Sequence, residues 1–322
     1  MNEPTILCIG ELLIDFFCTD IDTDLTKGQH FSKQAGGAPA NVCATITTLG
    51  GKARFLSKVG NDPFGHFLKQ TMMDLTMDDS SIIVDGNHPT TIAFVSLKKD
   101  GERDFVFNRG ADAHLTEEEL NESRWRDSSI IHFGSATALL DDPLQSAYLT
   151  FIQTVREGGR FVSFDPNFRS DLWKGRKRDF IQLAEKCISQ ADFLKVSAEE
   201  CKLISAFSNL TAGVDCLHRM GARAVAVTLG KDGTLISNGK QSAVVPSIPV
   251  HSIDSTGAGD AFVGATLHQF NQHQNPHNLL DDFEQLKKVI SNSNEVGAEV
   301  CTKIGAISGI MGLGDRHRVT LR

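Results

Sequence analysis

Short apolar runs alternate with amphipathic helical patterns over most of this chain, and that alternation limits the fold more than any single residue does. Thr5 to Ile9, Ile130 to Phe133, Phe161 to Phe164, Phe193 to Val196 and Ala224 to Leu229 read as strands. Between them the spacing predicts helices. One opens at Asp142, a good N-cap, has Pro143 in its first turn and places Leu144, Ala147, Tyr148, Phe151, Ile152 and Val155 on one face. It stops at Gly158 and Gly159. Another opens at Asn61-Asp62-Pro63 and continues through Phe64, Phe67, Leu68 and Leu75. Strands that alternate with helices pair in parallel, so the expected class is α/β, a parallel sheet with helices on both faces.

One stretch breaks this rhythm. Thr90 to Leu97 alternates with period two, Asp100-Gly101 is a hairpin turn signal, and Arg103 to Asn108 alternates again. A β-hairpin is therefore expected inside the α/β pattern, and the polar, turn-rich segment from Asp20 to Gln34 is a source of further strands beside it. At 322 residues the chain has room for two domains, but no Pro- or Ser-rich linker divides it. The reading is one domain over 1–322 carrying a small β lid, formed by about 11–35 and 88–112.

Charge and cysteine content exclude several function classes. Lys and Arg number 32 against 40 Asp and Glu, a net charge of -8, so no general basic field exists to hold nucleic acid or an anionic membrane. The N-terminal stretch lacks a basic leader, and Glu11 and Asp15 interrupt its apolar run, so a signal peptide or membrane span is not expected and a cytoplasmic location is. Seven scattered cysteines, an odd number in a chain of this size, read as reduced thiols.

Two glycine-rich turns carry the candidate chemistry. Asp254-Ser255-Thr256-Gly257-Ala258-Gly259-Asp260 leads into a packed helical run. Small residues at a helix start leave main-chain N–H groups open to an anion, which the helix dipole favours. Asp260 then stands beside that anion site, placed to take a proton from an attacking hydroxyl. The second turn, Gln34 to Asn41, sets Gly36 and Gly37 before Pro39 and offers Asn41 as both donor and acceptor. On spacing alone each is equally an ordinary tight turn before a helix. The other nucleotide loops are missing: Phe262 occupies a position where a dinucleotide fingerprint needs Gly or Ala, while Gly51-Lys52 and Gly230-Lys231 lack the Ser or Thr that completes a Walker A loop.

Taken together, the two turns resemble a known family. GGAPAN at 36–41, LGG at 49–51 and KVGNDPFG at 58–65 look like the N-terminal signature of the ribokinase/PfkB carbohydrate kinases, and DSTGAGDAFVGA at 254–265 looks like their C-terminal one. Their order and separation match too, so the resemblance covers nearly the whole chain. GELLIDF at 10–16 and DPNFRSDLW at 165–173 are most similar to fructokinases within that family. The resemblance implies a doubly wound α/β/α (ribokinase-like) domain with a small β-sheet lid. It also implies ATP-dependent phosphorylation of a sugar hydroxyl, most simply D-fructose to fructose 6-phosphate. The alternatives are 2-keto-3-deoxygluconate kinase, which shares the DPN-x-R run, and a sugar-binding regulator that has lost the chemistry.

The resemblance also assigns roles. The main-chain amides of Gly257, Ala258 and Gly259 would hold the migrating phosphoryl group, and Asp260 would be the base. Asp15, with Gly36, Gly37 and Asn41, would grip the sugar, joined by Asn108 and Arg109 from the closing lid and by Asn167 and Arg169 beyond a strand end. Arg169 is expected to approach the phosphates or the sugar, or alternatively to pair with Asp171. Lys195, Glu200, Thr228, Gly230, Gly233, Gly257, Gly259 and Asn294 are assigned to ATP, with Gly297 and Ala298 near its adenine. Mg²⁺ would arrive on ATP, with Glu200 organising its water shell. Ser197 replaces the Asn of the family motif there. K⁺ near Asp254 is a candidate activator, and a homodimer through the lid is implied. Cys43 reads as a buried helix position, not a nucleophile.

Overall fold

The computed structural model describes residues 5–75, 77, 79–97 and 103–313. Strand β1 (Thr5–Ile9) leads into lid strands β2 (Leu13–Cys18) and β3 (Phe31–Gly36), followed by α1 (Ala38–Thr48), β4 (Ala53–Gly60), α2 (Pro63–Asp74) and β5 (Ile82–Asp85). The lid is completed by β6 (Ile92–Leu97) and β7 (Arg103–Asn108). Then come β8 (Ser128–Phe133), α3 (Leu144–Glu157), β9 (Phe161–Phe164), α4 (Lys177–Ile188), β10 (Phe193–Ser197), α5 (Ala198–Ser205), α6 (Leu210–Met220) and β11 (Ala224–Thr228). An edge pair, β12 (Thr234–Ser237) and β13 (Ser242–Val245), precedes α7 (Ala258–Gln272), α8 (Pro276–Leu279), α9 (Phe283–Val300) and α10 (Ala306–Met311).

The central sheet runs β13-β12-β11-β10-β9-β8-β1-β4-β5, parallel from β11 to β5, with β12 and β13 antiparallel at the edge. The chain winds outward from β1 through β4 to β5, returns to β8 on the other side of β1, and winds on to β11. This is the doubly wound α/β arrangement the sequence predicts. Its reversal point lies between β1 and β8, where the carboxyl ends of two neighbouring strands diverge and leave a crevice for ligands.

Side chains of β1 alternate between two cores, Ile6 and Cys8 on one face and Leu7 and Ile9 on the other. That is the period of a strand covered on both sides. The first core joins Val42 and Ile46 of α1 to Ala261 and Leu267 of α7 and Ile290 of α9. Gly264 lets α1 and α7 touch, since a Cβ there would lie 2.6 Å from Thr45 Cβ. The second core gathers Phe151 of α3, Phe180 of α4, Ile204 of α5 and Leu217 of α6.

The lid is a separate sheet in the order β3-β2-β6-β7. Its hairpin pairs from Ile92↔Asn108 to Leu97↔Arg103, while the Asp100-Gly101 turn lies outside the described residues. Strand β6 begins at Ile92, not Thr90. Asp62, which caps α2, holds the Thr90 N–H at 2.7 Å and its hydroxyl at 2.8 Å, and Thr91 bonds Asp112. Helix α3 likewise starts at Leu144, two residues beyond Asp142. The Asp142 carboxylate still serves it, accepting from the Ser146 N–H at 3.0 Å.

Candidate active site

The chain enters α7 through a turn held by Asp254. Its Oδ1 accepts from the Thr256 N–H at 2.9 Å and hydroxyl at 2.6 Å, and its Oδ2 accepts from the Gly305 N–H at 2.9 Å. Gly257 is the cap residue, with φ of 79° and no side-chain cap, and a Cβ there would lie 2.4 Å from Ala306 Cβ. Only glycine fits. The helix therefore begins with main-chain donors and the positive end of its dipole facing the crevice. One sequence expectation changes here. The Ala258 N–H donates to Ser255 O at 3.2 Å, which withdraws it from the donors assigned to a phosphoryl group and leaves Gly257 and Gly259 of that set.

Asp260 lies in the first turn of α7, 8% exposed, and its Oδ2 accepts from Asn41 Nδ2 at 2.8 Å. Burial raises its pKa, while the Asn41 hydrogen bond and the charges of Arg169 and Lys195 act against that rise. Near the same turn, Lys195 Nζ donates to Asp165 Oδ2 at 2.9 Å, and a Cβ on Gly259 would meet that nitrogen at 3.2 Å. Burial disfavours the lysine charge, but Asp165, Glu200 and Asp260 outweigh it and raise its pKa above the ordinary value. A fixed cation thus sits against the helix start.

Two cavities, of about 530 and 570 Å³, meet at this point, and Ser255 and Gly259 line both. The first is lined by Asp15, Gly37, Asn41, Asn167, Arg169, Gly257 and Asp260, with Phe17, Val95 and Phe105 contributed by the lid. Asp15 is partly buried. Burial, reinforced by Glu11 and opposed by Arg169, pushes its carboxyl up to about 7. Gly36 gives that carboxylate room, since a Cβ at Gly36 would lie 2.0 Å from Asp15 Oδ2. Asn167 has φ of 47° and is fixed by donating through Nδ2 to Gly134 O at 2.9 Å. The second cavity is lined by Thr228, Gly230, Gly233, Asn294, Gly297 and Ala298, with Ala258 at the helix start and Ile248, Pro249 and Val250 as apolar wall.

Several residues are placed differently from the sequence expectation. Asn108 and Arg109 line neither cavity. Asn108 is exposed at the end of β7. Arg109 donates to Thr137 O at 2.8 Å and lies 3.5 Å from Asp112 and 3.6 Å from Asp141, drawn inward by the buried Asp112 carboxylate. Lys195 and Glu200, assigned to the nucleotide, line the first cavity instead, because β10 ends on that side. Glu200 accepts from the Ser197 and Phe168 N–H groups, both at 2.7 Å, and Ser197 Oγ accepts from the Glu200 N–H at 3.1 Å. Ser197 is thus the N-cap of α5. Asn294 lines its cavity, but its amide already bonds Thr234, Val245 O and Pro246 O, tying α9 to the edge strands. Asp171 pairs with Lys174 at 3.2 Å, not with Arg169. Cys43 is fully buried.

Sequence reasoning missed Glu11, reading it only as an interruption of an apolar run. It lines the first cavity, is 2% exposed, and accepts from the Ala38 N–H at 3.1 Å and the Ser135 hydroxyl at 2.5 Å. A carboxylate directly after the first strand of a doubly wound sheet, at the reversal point, was the available signal.

Comparison with known proteins agrees with this geometry. The profile of the family described as pfkB family carbohydrate kinase matches residues 3–311. Fructokinase-1 of Oryza sativa subsp. japonica is 37% identical over 315 residues, covering 96% of this chain and 95% of its own. Fructokinase with bound ATP from Xylella fastidiosa superposes with a TM-score of 0.88 at 29% identity, covering 99% of this chain and 98% of that one. A double-mutant fructokinase from Vibrio cholerae O395, in its fructose, ADP and potassium ion bound form, gives 0.83 at 29% identity, with 96% and 95% covered. With a family profile matched over residues 3–311 and two cavities meeting at one helix start, the chain belongs to the pfkB family of carbohydrate kinases.

Proposed function

We propose that this protein transfers the γ-phosphoryl group of ATP to a hydroxyl of D-fructose, giving fructose 6-phosphate. The observation that carries the reading is Asp260, which lines the sugar-side cavity in the helix turn whose Gly259 also faces the nucleotide-side cavity. The sugar hydroxyl oxygen forms the new P–O bond, the bond from the γ-phosphorus to ADP breaks, and the hydroxyl proton passes to Asp260. Phosphoryl transfer asks mainly for positioning and charge stabilisation. The amides at Gly257 and Gly259 and the Lys195 ammonium supply both without reorganising.

Mg²⁺ neutralises triphosphate charge in such reactions. The ion is proposed to arrive as a passenger on ATP, because Mg²⁺ gives up its waters reluctantly and is commonly held through substrate phosphates with few protein ligands. Glu200 supports the water shell only with the lone pairs that its two backbone bonds leave over. K⁺ beside Asp254 is proposed as an activator, supported by the way that carboxylate organises the loop entering α7. Equal rates in Na⁺ and K⁺ would remove it.

Fructose is favoured over a keto-acid sugar because, of the two arginines that a substrate carboxylate would call on, only Arg169 lines the cavity, and Lys195, the other cation there, is already paired with Asp165. Coupled ATP turnover over a panel of sugars tests this. Preference for 2-keto-3-deoxygluconate would reassign the substrate, and fructose binding without ATP consumption would make the protein a regulator. A homodimer through the lid is supported by Val106, 47% exposed on β7, and is checked by chromatography. No helix among the described residues is long and apolar enough to cross a membrane. A cytoplasmic location is part of the proposal, tested by cell fractionation.

A further inference from the structure

Glu11 is the most tightly held carboxyl around the sugar-side cavity. Among the described residues it contacts no Lys, Arg or His. Its three donors come from two distant segments: Oε1 accepts from the Ala38 N–H at 3.1 Å and the Ala136 N–H at 3.4 Å, and Oε2 accepts from the Ser135 hydroxyl at 2.5 Å. Ser135 Oγ itself accepts from the Thr137 and Ala138 N–H groups, at 3.1 and 2.9 Å, so its own proton is directed to Glu11. All three bonds ask Glu11 to accept. A carboxylate does this with both oxygens, a carboxamide with only one.

Ala38 opens α1, and Gly37, the local cap position, supplies no side-chain cap. Glu11 caps the helix from 27 residues away, at the positive end of its dipole. Main chains touch here as well, since a Cβ on Gly37 would lie 2.3 Å from Glu11 O. One turn along, the Asn41 N–H donates to Gly37 O at 3.0 Å and Asn41 Nδ2 donates to Asp260 Oδ2 at 2.8 Å. A single line of contacts therefore runs from Glu11 through the start of α1 to the side chain that bonds the base.

We propose that Glu11 is a positioning residue, which by capping α1 across the chain sets Asn41 against Asp260 and so aims the base at the bound sugar. The proposal rests on the reading of Asp260 as that base. Its test is a double-mutant cycle in the full chain with E11Q, N41A and the pair. The readouts are kcat and KM with fructose and ATP, ADP affinity by calorimetry, and titration of the Asp260 carboxyl by NMR.

E11Q is expected to lower kcat by roughly 10- to 100-fold, as misplacement of a reacting group does, with ADP affinity unchanged. The double variant should be no worse than the poorer single one. E11Q and N41A should each raise the Asp260 pKa, because each loosens the donor that opposes burial. Multiplicative losses in kcat, or an Asp260 titration that E11Q leaves in place, would overturn the proposal. If E11Q does not fold, S135A removes one bond to the same carboxyl and leaves α1 intact. It should shift the Asp260 titration in the same direction but by less, and no shift would overturn the proposal. Absent fructose turnover in the parent protein would instead count against the reaction assigned above, while the NMR cycle still decides the role of Glu11.

Discussion

Asn41 Nδ2 and Asp260 Oδ2 meet at 2.8 Å, although the two residues stand 219 positions apart. The bond joins the two glycine-rich turns into one site, with Asn41 in the first turns of α1 and Asp260 in the first turn of α7. It also opposes the rise in pKa that burial imposes on Asp260. A buried base without a donor would hold its proton too tightly to leave the carboxylate free for a hydroxyl.

Replacing Asp260 by Asn keeps the shape and removes the basicity. Turnover should fall by roughly 10² to 10⁴, the usual contribution of a positioned base, while ADP binding and melting temperature stay near the parent values. Near-parent kcat in D260N would end the assignment.

Gly36 makes a test confined to the sugar. An added methyl would need to occupy space 2.0 Å from Asp15 Oδ2, so G36A should drive that carboxylate out of position. KM for the sugar is expected to rise at least tenfold while KM for ATP holds, since the nucleotide-side cavity contains neither residue. Parallel losses for both substrates would place the damage in the fold instead.

The two glycine turns were legible because each departs from ordinary local chemistry: bare backbone before a helix, with one polar side chain held beside it. The order of strands and helices was legible from periodicity. Side-chain direction was not. Arg109 follows a lid strand, as a substrate-facing arginine would, but the buried Asp112 three residues on turns it inward. Asn294 reads as a pocket residue and is one, yet its amide is taken up by contacts with the edge strands, which no local pattern announces. Glu11 stayed hidden for the same reason: its partners are backbone N–H groups and a serine from segments that meet only in the folded sheet.

Activity should depend on pH through Asp15. Its carboxyl, pushed up to about 7, carries a proton below that pH and cannot then accept hydrogen bonds at both oxygens. The value of kcat/KM for the sugar is therefore expected to climb as pH rises through about 7. Stability runs the other way. The folded state holds this proton more tightly than the unfolded chain, so the contribution of Asp15 favours folding at low pH and is lost as pH passes about 7. D15N should abolish the step in kcat/KM. An unchanged step in that variant would assign it to Asp260.

Lys195 and Asp165 separate stability from catalysis. Both are buried, 9% and 2% exposed, and their ion pair spans 2.9 Å between the residue after β9 and the middle of β10. K195M leaves Asp165 buried without its cation and should destabilise the protein by about 3–5 kcal/mol, while D165N should cost less because Glu200 and Asp260 still face Lys195. Removing both should restore most of that loss, because an apolar or neutral pair of similar volume replaces a buried ion pair at little net cost. Turnover should not return with it. The Lys195 ammonium stands within reach of Gly259, where the proposed transfer would gather negative charge, and methionine offers nothing to that charge. Urea unfolding beside coupled ATP turnover reads the two effects separately. A double variant that is both stable and active would reduce Lys195 to a structural cation.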